Sequence, residues 1–215
     1  MHTRGSVRTA LLFSAALAAS DVRAQHDHAA HAPAAAPAHS SGFYLPEPMP
    51  LPDFTLVDHS ARLFTRTDLE GNWTLVVFGY THCPDVCPTT LAQVRDTLEL
   101  LRQKGAALDV RGVLVSIDPE RDTPEQLAGY VGAFGEDIVG LTGSQGTVAA
   151  FAEQFKVKYA VTERSPGGYF VDHSSSVALL TPDAKLRALF SVPLRPAQLA
   201  DDLHTLATDP AHGGH

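Results

Sequence analysis

The sequence predicts an α/β domain in which a mixed central β-sheet is flanked by helices. Three features carry that expectation. Two nearly all-apolar runs, WTLVVFGY (Trp73–Tyr80) and VRGVLVSID (Val110–Asp118), have the length of strands and the composition of strands covered on both faces. Each is followed by a segment with helical periodicity, so strands and helices alternate. The chain then closes on two strands that read as a hairpin, followed by one more helix.

Folding proper begins near Phe54. FTLVDHSARLFT holds two short β-prone runs on either side of Asp58, His59 and Ser60, which predicts an N-terminal hairpin. After the first apolar strand, PTTLAQVRDTLELLRQKG predicts a helix. Pro88 suits a first helical position, Leu91, Val94, Leu98 and Leu101 recur at spacings of three and four, and Gly105 is the stop. After the second strand, TPEQLAGYVGAF predicts a helix with Thr123 as N-cap, Pro124 at the first position and Gln126 completing a capping box. DIVGLTG is a short strand and turn, and SQGTVAAFAEQF a helix opened by Ser144. VKYAVTE and SVALLTPDAKLRALF supply three strands, the last two turned by Pro182 and Asp183, and RPAQLADDLHTLA is the closing helix. The order β-α-β-α, then β-β-α, is that of a thioredoxin-like core. The hairpin before Trp73 and the helix near Thr147–Phe155 are insertions on that plan.

The flanks read differently. His2, Arg4 and Arg8 precede the apolar run ALLFSAALAAS, and small residues up to Ala24 fit a cleavage site, so residues 1–24 are expected to be an export signal. The run is too short for a mature membrane span. The folded part is therefore expected outside the cytoplasm, in a periplasm-like compartment, and tethered to the membrane only if the signal stays uncleaved. Residues 25–52, rich in Ala, Pro and His, read as a flexible tether, residues 53–207 as the domain and residues 208–215 as a disordered tail. A net charge of −8 argues against nucleic acid and anionic lipid as partners.

The chain has two cysteines, Cys83 and Cys87, in FGYTHCPDVCPTTL. They follow a central strand and precede its helix, at the carboxyl edge where open α/β sheets place their sites. A helix N-terminus favours thiolates, so the position predicts lowered pKa values. Residues one helical turn apart put their Cβ atoms about 6 Å apart, loose for a disulfide and suited to two sulfurs converging on one ion. A structural bridge, a redox pair and two legs of a metal site all stay open at this point. A bridge closing so short a loop adds little stability. A metal needs a third ligand, and the candidate is His173 in VDHSSSVALL, expected on a loop near a sheet edge, with Asp172 beside it to orient the imidazole. Asp118, in the DPERDT turn after the second strand, is a candidate to place negative charge near the same edge, or else part of a turn held by Arg121 with Asp122 or Glu120.

FGYTHCPDVCPTTL, VSIDPERDTPEQLAGYV, GLTG and VDHSSSVALLTPDAKL, in that order and spacing, closely resemble the Sco/SenC family, copper-binding proteins of cytochrome c oxidase assembly. The resemblance covers about Phe54–Leu206 and implies a thioredoxin-like fold. Carried onto this chain, the family's copper ligands fall on Cys83, Cys87 and His173. It implies a metallochaperone that binds one copper, Cu(I) or Cu(II), and delivers it to the oxidase subunit carrying the CuA site. The alternative is a thiol–disulfide oxidoreductase acting on the cysteines of that subunit through a Cys83–Cys87 disulfide. Another periplasmic copper chaperone or thiol reductase is then an expected partner. Thiolate and imidazole donors suit copper, and copper binding competes with disulfide formation for the same sulfurs. A peroxidase-like enzyme is a third reading, but no matched arginine and threonine environment is evident.

His26, His28, His31 and His39 make the tether histidine-rich and are candidates for weak, transient metal capture. His82 reads either as an exposed loop residue or as a stray ligand beside Cys83, and His59 and His204 carry no signal.

Overall fold

A computed structural model describes residues 42–105, 108–164, 168–173 and 176–208. The expected export signal, His26, His28, His31, His39 and the residues beyond Thr208 lie outside the described residues.

The described chain runs β1 (Gly42–Pro50), β2 (Thr55–Asp58), β3 (Leu63–Thr65), a 3-10 turn (Arg66–Leu69), β4 (Trp73–Gly79), α1 (Val86–Gln103), β5 (Val110–Ser116), α2 (Pro124–Gly132), β6 (Ile138–Thr142), α3 (Gln145–Gln154), β7 (Tyr159–Arg164), β8 (Gly168–His173), β9 (Ser176–Leu180), β10 (Lys185–Ser191) and α4 (Pro196–Thr208). Eight strands form one mixed sheet in the order β1-β10-β9-β4-β5-β6-β2-β3. β4, β5 and β6 are parallel, and the others join antiparallel. This is the thioredoxin-like α/β plan expected from the sequence.

The apolar strands explain the layers. β4 is buried at all seven positions because both of its faces are covered. Leu75 and Val77 face a cluster with Leu91, Val94, Leu98 and Leu101 of α1, Leu127 of α2 and Leu199 of α4. Val76 and Phe78 face the opposite cluster, where Phe78 lies 5.2 Å from Phe155 and 6.1 Å from Phe151, ring centre to ring centre. The cap residues follow the sequence, although of the expected Thr123–Gln126 capping box only the Thr123 side-chain bond is formed. Thr123 accepts the Gln126 N–H at the start of α2, Ser144 accepts the Thr147 N–H at the start of α3, and Gly105 takes a positive φ of 62° just past α1.

Three expectations need correction. Residues 42–50 are not part of a tether: β1 pairs with β10 at the sheet edge, its register broken between Tyr44 and Met49. An edge strand tolerates Pro46, Pro48 and Pro50 because the missing N–H groups can face away from the ladder. α1 opens at Val86 with Asp85 as its cap residue, so Pro88 sits third rather than first, still within the turn that needs no amide partner. His173 ends a strand rather than lying on a loop. Among the described residues that strand, β8, pairs only with β7, in a two-stranded ribbon apart from the eight-stranded sheet.

Candidate metal centre

β4 delivers its last residue, Gly79, to the carboxyl edge of the sheet, and the chain turns from Tyr80 to Asp85 into α1. The turn is closed by Cys83 N–H donating to Tyr80 O at 3.2 Å. The N–H of Cys87, in the first turn of α1, donates to Cys83 Sγ at 3.4 Å. A helix start has amides with no partner in the helix, and here one of them serves the sulfur of the residue four positions earlier. Both cysteines are unbridged thiols, 8% and 2% exposed.

The expected lowering of both thiol pKa values does not hold for Cys87. Burial pushes its thiol well up, and its bond with Cys83, the Cys83 charge and the Asp122 charge add to that, against an opposing backbone contact at Tyr80. Desolvation outweighs the helix terminus because Cys87 is sealed under the helix rather than facing water.

The sulfur of Cys87 rests against Gly79, where a Cβ would come within 2.9 Å of it and within 3.3 Å of Leu114. A glycine is therefore needed for strand and helix to meet at this depth. Val77, Phe78, Val86, Thr90, Ser176 and Val192 surround Cys87 in a small cavity. Two soft sulfurs one helical turn apart, held against a cradle that a side chain would fill, suit a thiophilic cation such as copper.

The residue that organises this edge is Asp122, which the sequence offered only as a turn partner of Arg121. Its carboxylate is fully buried and accepts three bonds: Thr81 N–H at 3.0 Å, Thr81 Oγ1–H at 2.6 Å and Ser116 Oγ–H at 2.6 Å. The two hydroxyl contacts have the length of charge-assisted bonds. Asp122 thus ties the loop before Cys83 to the end of β5 and the start of α2. Asp118 takes a different role. Its carboxylate binds Arg121 Nε at 2.5 Å, and its N–H donates to Ser116 Oγ. The turn is held by Arg121 with Asp118, rather than with Asp122 or Glu120. Arg121 also lies over the Tyr80 ring at 5.8 Å. On α2, burial first and the charges of Cys87, Cys83 and Asp122 next push the Tyr130 phenol well up, and its hydroxyl has no hydrogen-bond partner among the described residues.

His173 ends β8 opposite Tyr159, and Asp172 lies opposite Ala160. For these two residues the description extends to the backbone. Ser176 lines the Cys87 cavity, and three residues span at most about 11 Å, which bounds how far the His173 backbone can lie from that cavity. Among the described residues no three His, Cys, Asp or Glu side chains gather into a metal-holding group. His59, without signal in the sequence, has a structural role: its Nδ1 accepts the Gly140 N–H at 3.0 Å, fastening the β2–β3 hairpin to β6. Among the described residues no helix is long and apolar enough to cross a membrane.

Comparison with known proteins places this geometry among relatives. A family model described as SCO1/SenC matches residues 39–208. The mitochondrial Protein SCO2 homolog of Homo sapiens is 36% identical over 152 residues, 70% of this chain and 57% of that protein. A putative copper-binding protein of Stutzerimonas stutzeri is 34% identical over 151 residues, 70% of this chain and 74% of that protein. The chain thus spans little more than half the length of its mammalian relatives, with 57% of the Bos taurus SCO2 homolog covered as well. The crystal structure of Arabidopsis thaliana ScoI with copper bound superposes with a TM-score of 0.68 at 32% identity, over 72% of this chain and 95% of that one. A structure of BsSco, described through a disulfide switch, superposes with a TM-score of 0.60 at 27% identity, over 75% of this chain and 95% of that one.

Proposed function

We propose, from the premise that this chain belongs to the SCO1/SenC family, that it is a copper metallochaperone whose cargo is held by Cys83, Cys87 and His173. The observation that carries the reading is the pair of buried thiols at the α1 N-terminus, one bonded to the amide of the other and one seated on Gly79. Two thiolates and an imidazole form a donor set that suits copper(I) in three-coordination. Cys87 meets the cation already positioned, so little ordering is left for binding to drive. Asp172 is then the carboxylate that orients the His173 imidazole, by the logic of outer contacts around metal ligands. The export pattern of residues 1–24 supports a site of action outside the cytoplasm, and the acceptor in this reading is the oxidase subunit that carries CuA.

A second reading, a thiol–disulfide oxidoreductase for the cysteines of the same acceptor, is favoured by one observation. The Cys87 N–H donates to the Cys83 sulfur, and the Cys87 thiol itself bonds with Cys83, so the two sulfurs already meet across one turn. One experiment separates the two. Reduced wild type and His173→Ala are titrated with copper(I) against a chromophoric chelator and assayed for reduction of a disulfide in a CuA-domain peptide. As a chaperone, the wild type binds one copper with two sulfur and one nitrogen donors. His173→Ala then weakens binding by more than the roughly 10–100-fold that outer contacts are worth. Unchanged copper affinity in His173→Ala, with reduction lost only in Cys83→Ser or Cys87→Ser, decides for the reductase.

A further inference from the structure

His82 precedes Cys83, and its side chain is 51% exposed while the carboxylate behind it is fully buried. Its Nδ1 lies 3.0 Å from Thr81 Oγ1 and 3.8 Å from Asp122 Oδ1. The single hydroxyl proton of Thr81 is directed at Asp122 Oδ1, 2.6 Å away, because a carboxylate has no proton to offer in return. Thr81 Oγ1 can therefore only accept from the imidazole. The chain of bonds runs from His82 Nδ1–H to Thr81 Oγ1–H to the Asp122 carboxylate. Nδ1 is thereby engaged as a donor, and Nε2, which takes no partner among the described residues, is the ring nitrogen left available on an exposed side chain. A buried carboxylate acting through an oriented donor is the arrangement that prepares imidazoles for metals.

We propose that His82 Nε2 is the receiving ligand through which copper enters and leaves the buried sulfurs. The inference rests on the copper reading above. The two cysteines are 8% and 2% exposed, so a donor protein meets little of either at the surface. His82 stands at the surface one residue from Cys83, with Cα atoms about 3.8 Å apart. The transfer is a ligand exchange without change of oxidation state. A copper(I)–Nε2 bond forms as a bond to the donor breaks. It breaks in turn as a copper(I)–sulfur bond to Cys83 forms, and the thiol proton passes to water. Thr81 and Asp122 are positioning residues: they hold the tautomer and do not touch the cargo.

The test uses the reduced full chain, loaded in a stopped-flow instrument from copper(I) bathocuproine disulfonate. His82→Ala reaches the same end point as wild type, one copper with the same donors, but loads roughly tenfold or more slowly. His82→Gln, which keeps the size of the side chain, loses rate equally. Thr81→Val falls between, and in the copper-free protein its imidazole nitrogen spectrum changes from a single Nδ1–H tautomer to a mixture. A His82→Ala loading rate equal to wild type overturns the proposal, as does a wild-type spectrum with the proton on Nε2. Loss of the bound copper in His82→Ala also overturns it, since the residue is then a resident ligand. Failure of the underlying reading looks different: the wild type takes up no copper at all, which ends both.

Discussion

The two cysteines and the histidine proposed to share a metal come from unlike parts of the molecule. Cys83 and Cys87 belong to the β4–α1 junction, where the strand is buried at every position and the adjoining loop is fastened to β5 and α2 through Asp122. His173 belongs to a two-stranded ribbon that, among the described residues, pairs with no strand of the main sheet. An isolated ribbon of this kind is at best marginally stable, whereas a central parallel strand draws on packing from both layers. The contrast teaches that the sulfur half is built by the core, and that the nitrogen half depends on local anchoring. One such anchor is visible at Tyr159, the first residue of β7. It packs against the α3-side core, and its hydroxyl accepts from Gln145 Nε2 at 3.2 Å. A chaperone must both hold and release its cargo, and a division between a fixed and a separately supported ligand serves that end.

The largest way to break the contrast is Asp122→Ala. It removes the acceptor to which two hydroxyls and one amide donate around a fully buried carboxylate. Each orphaned buried group costs about 1–3 kcal/mol, so a loss of several kcal/mol is expected. Urea unfolding followed by tryptophan fluorescence reads it out, since Trp73 begins β4. Stability equal to wild type would mean that the cysteine loop is not held by this network. Asp122→Asn, which can still accept, is expected to lose clearly less.

Next in size is Gly79→Ala. The added methyl would lie 2.9 Å from Cys87 Sγ and 3.3 Å from Leu114 Cδ1, both in the interior, so the sulfur must shift. Overpacking of this kind typically costs about 1–3 kcal/mol. The expected outcome is a lower thermal midpoint together with weaker copper retention in a chelator competition. A variant that loses stability but keeps wild-type copper affinity would show that the depth of Cys87 is irrelevant to the site.

The contrast also explains which parts of the molecule the sequence makes legible. β4, β5, α1 and α2 are readable because burial on both faces writes an apolar run, and burial on one face writes a period: Leu91, Val94, Leu98 and Leu101 all face the core as spaced. The cysteine pair is readable from its position between such a strand and helix. β1 is not, because GFYLPEPMP has no alternation and its prolines at 46, 48 and 50 argue against a strand. It is a strand only because β10 offers it an edge. Asp122 is hidden for another reason. Its partners lie 41 and 6 positions away, at Thr81 and Ser116, and no local pattern connects them. The β7–β8 ribbon was half readable: YAVTE has the composition of a strand, while GYFVDH ends in polar residues that resemble a loop. Networks assembled by topology leave no periodic trace.

The smallest expected effect is the one that sharpens the contrast most. Burial raises the Tyr159 phenol pKa, the Gln145 N–H offsetting this only in part, so the ring stays neutral at neutral pH and accepts the amide as a phenol. Tyr159→Phe removes that bond at an exposed position and keeps the ring in the core. It should cost only about 0.5–1.5 kcal/mol in global unfolding. If the nitrogen half is locally anchored, amide exchange should accelerate in Tyr159–Arg164 and Gly168–His173 and stay unchanged in β4 and α1. Copper retention should fall slightly, because the ribbon that carries His173 is less often in place, while the thiols react with alkylating reagents as in wild type. Exchange that quickens equally in β4 would mean that ribbon and core open together, and the division of the site into two independently supported halves would then be wrong.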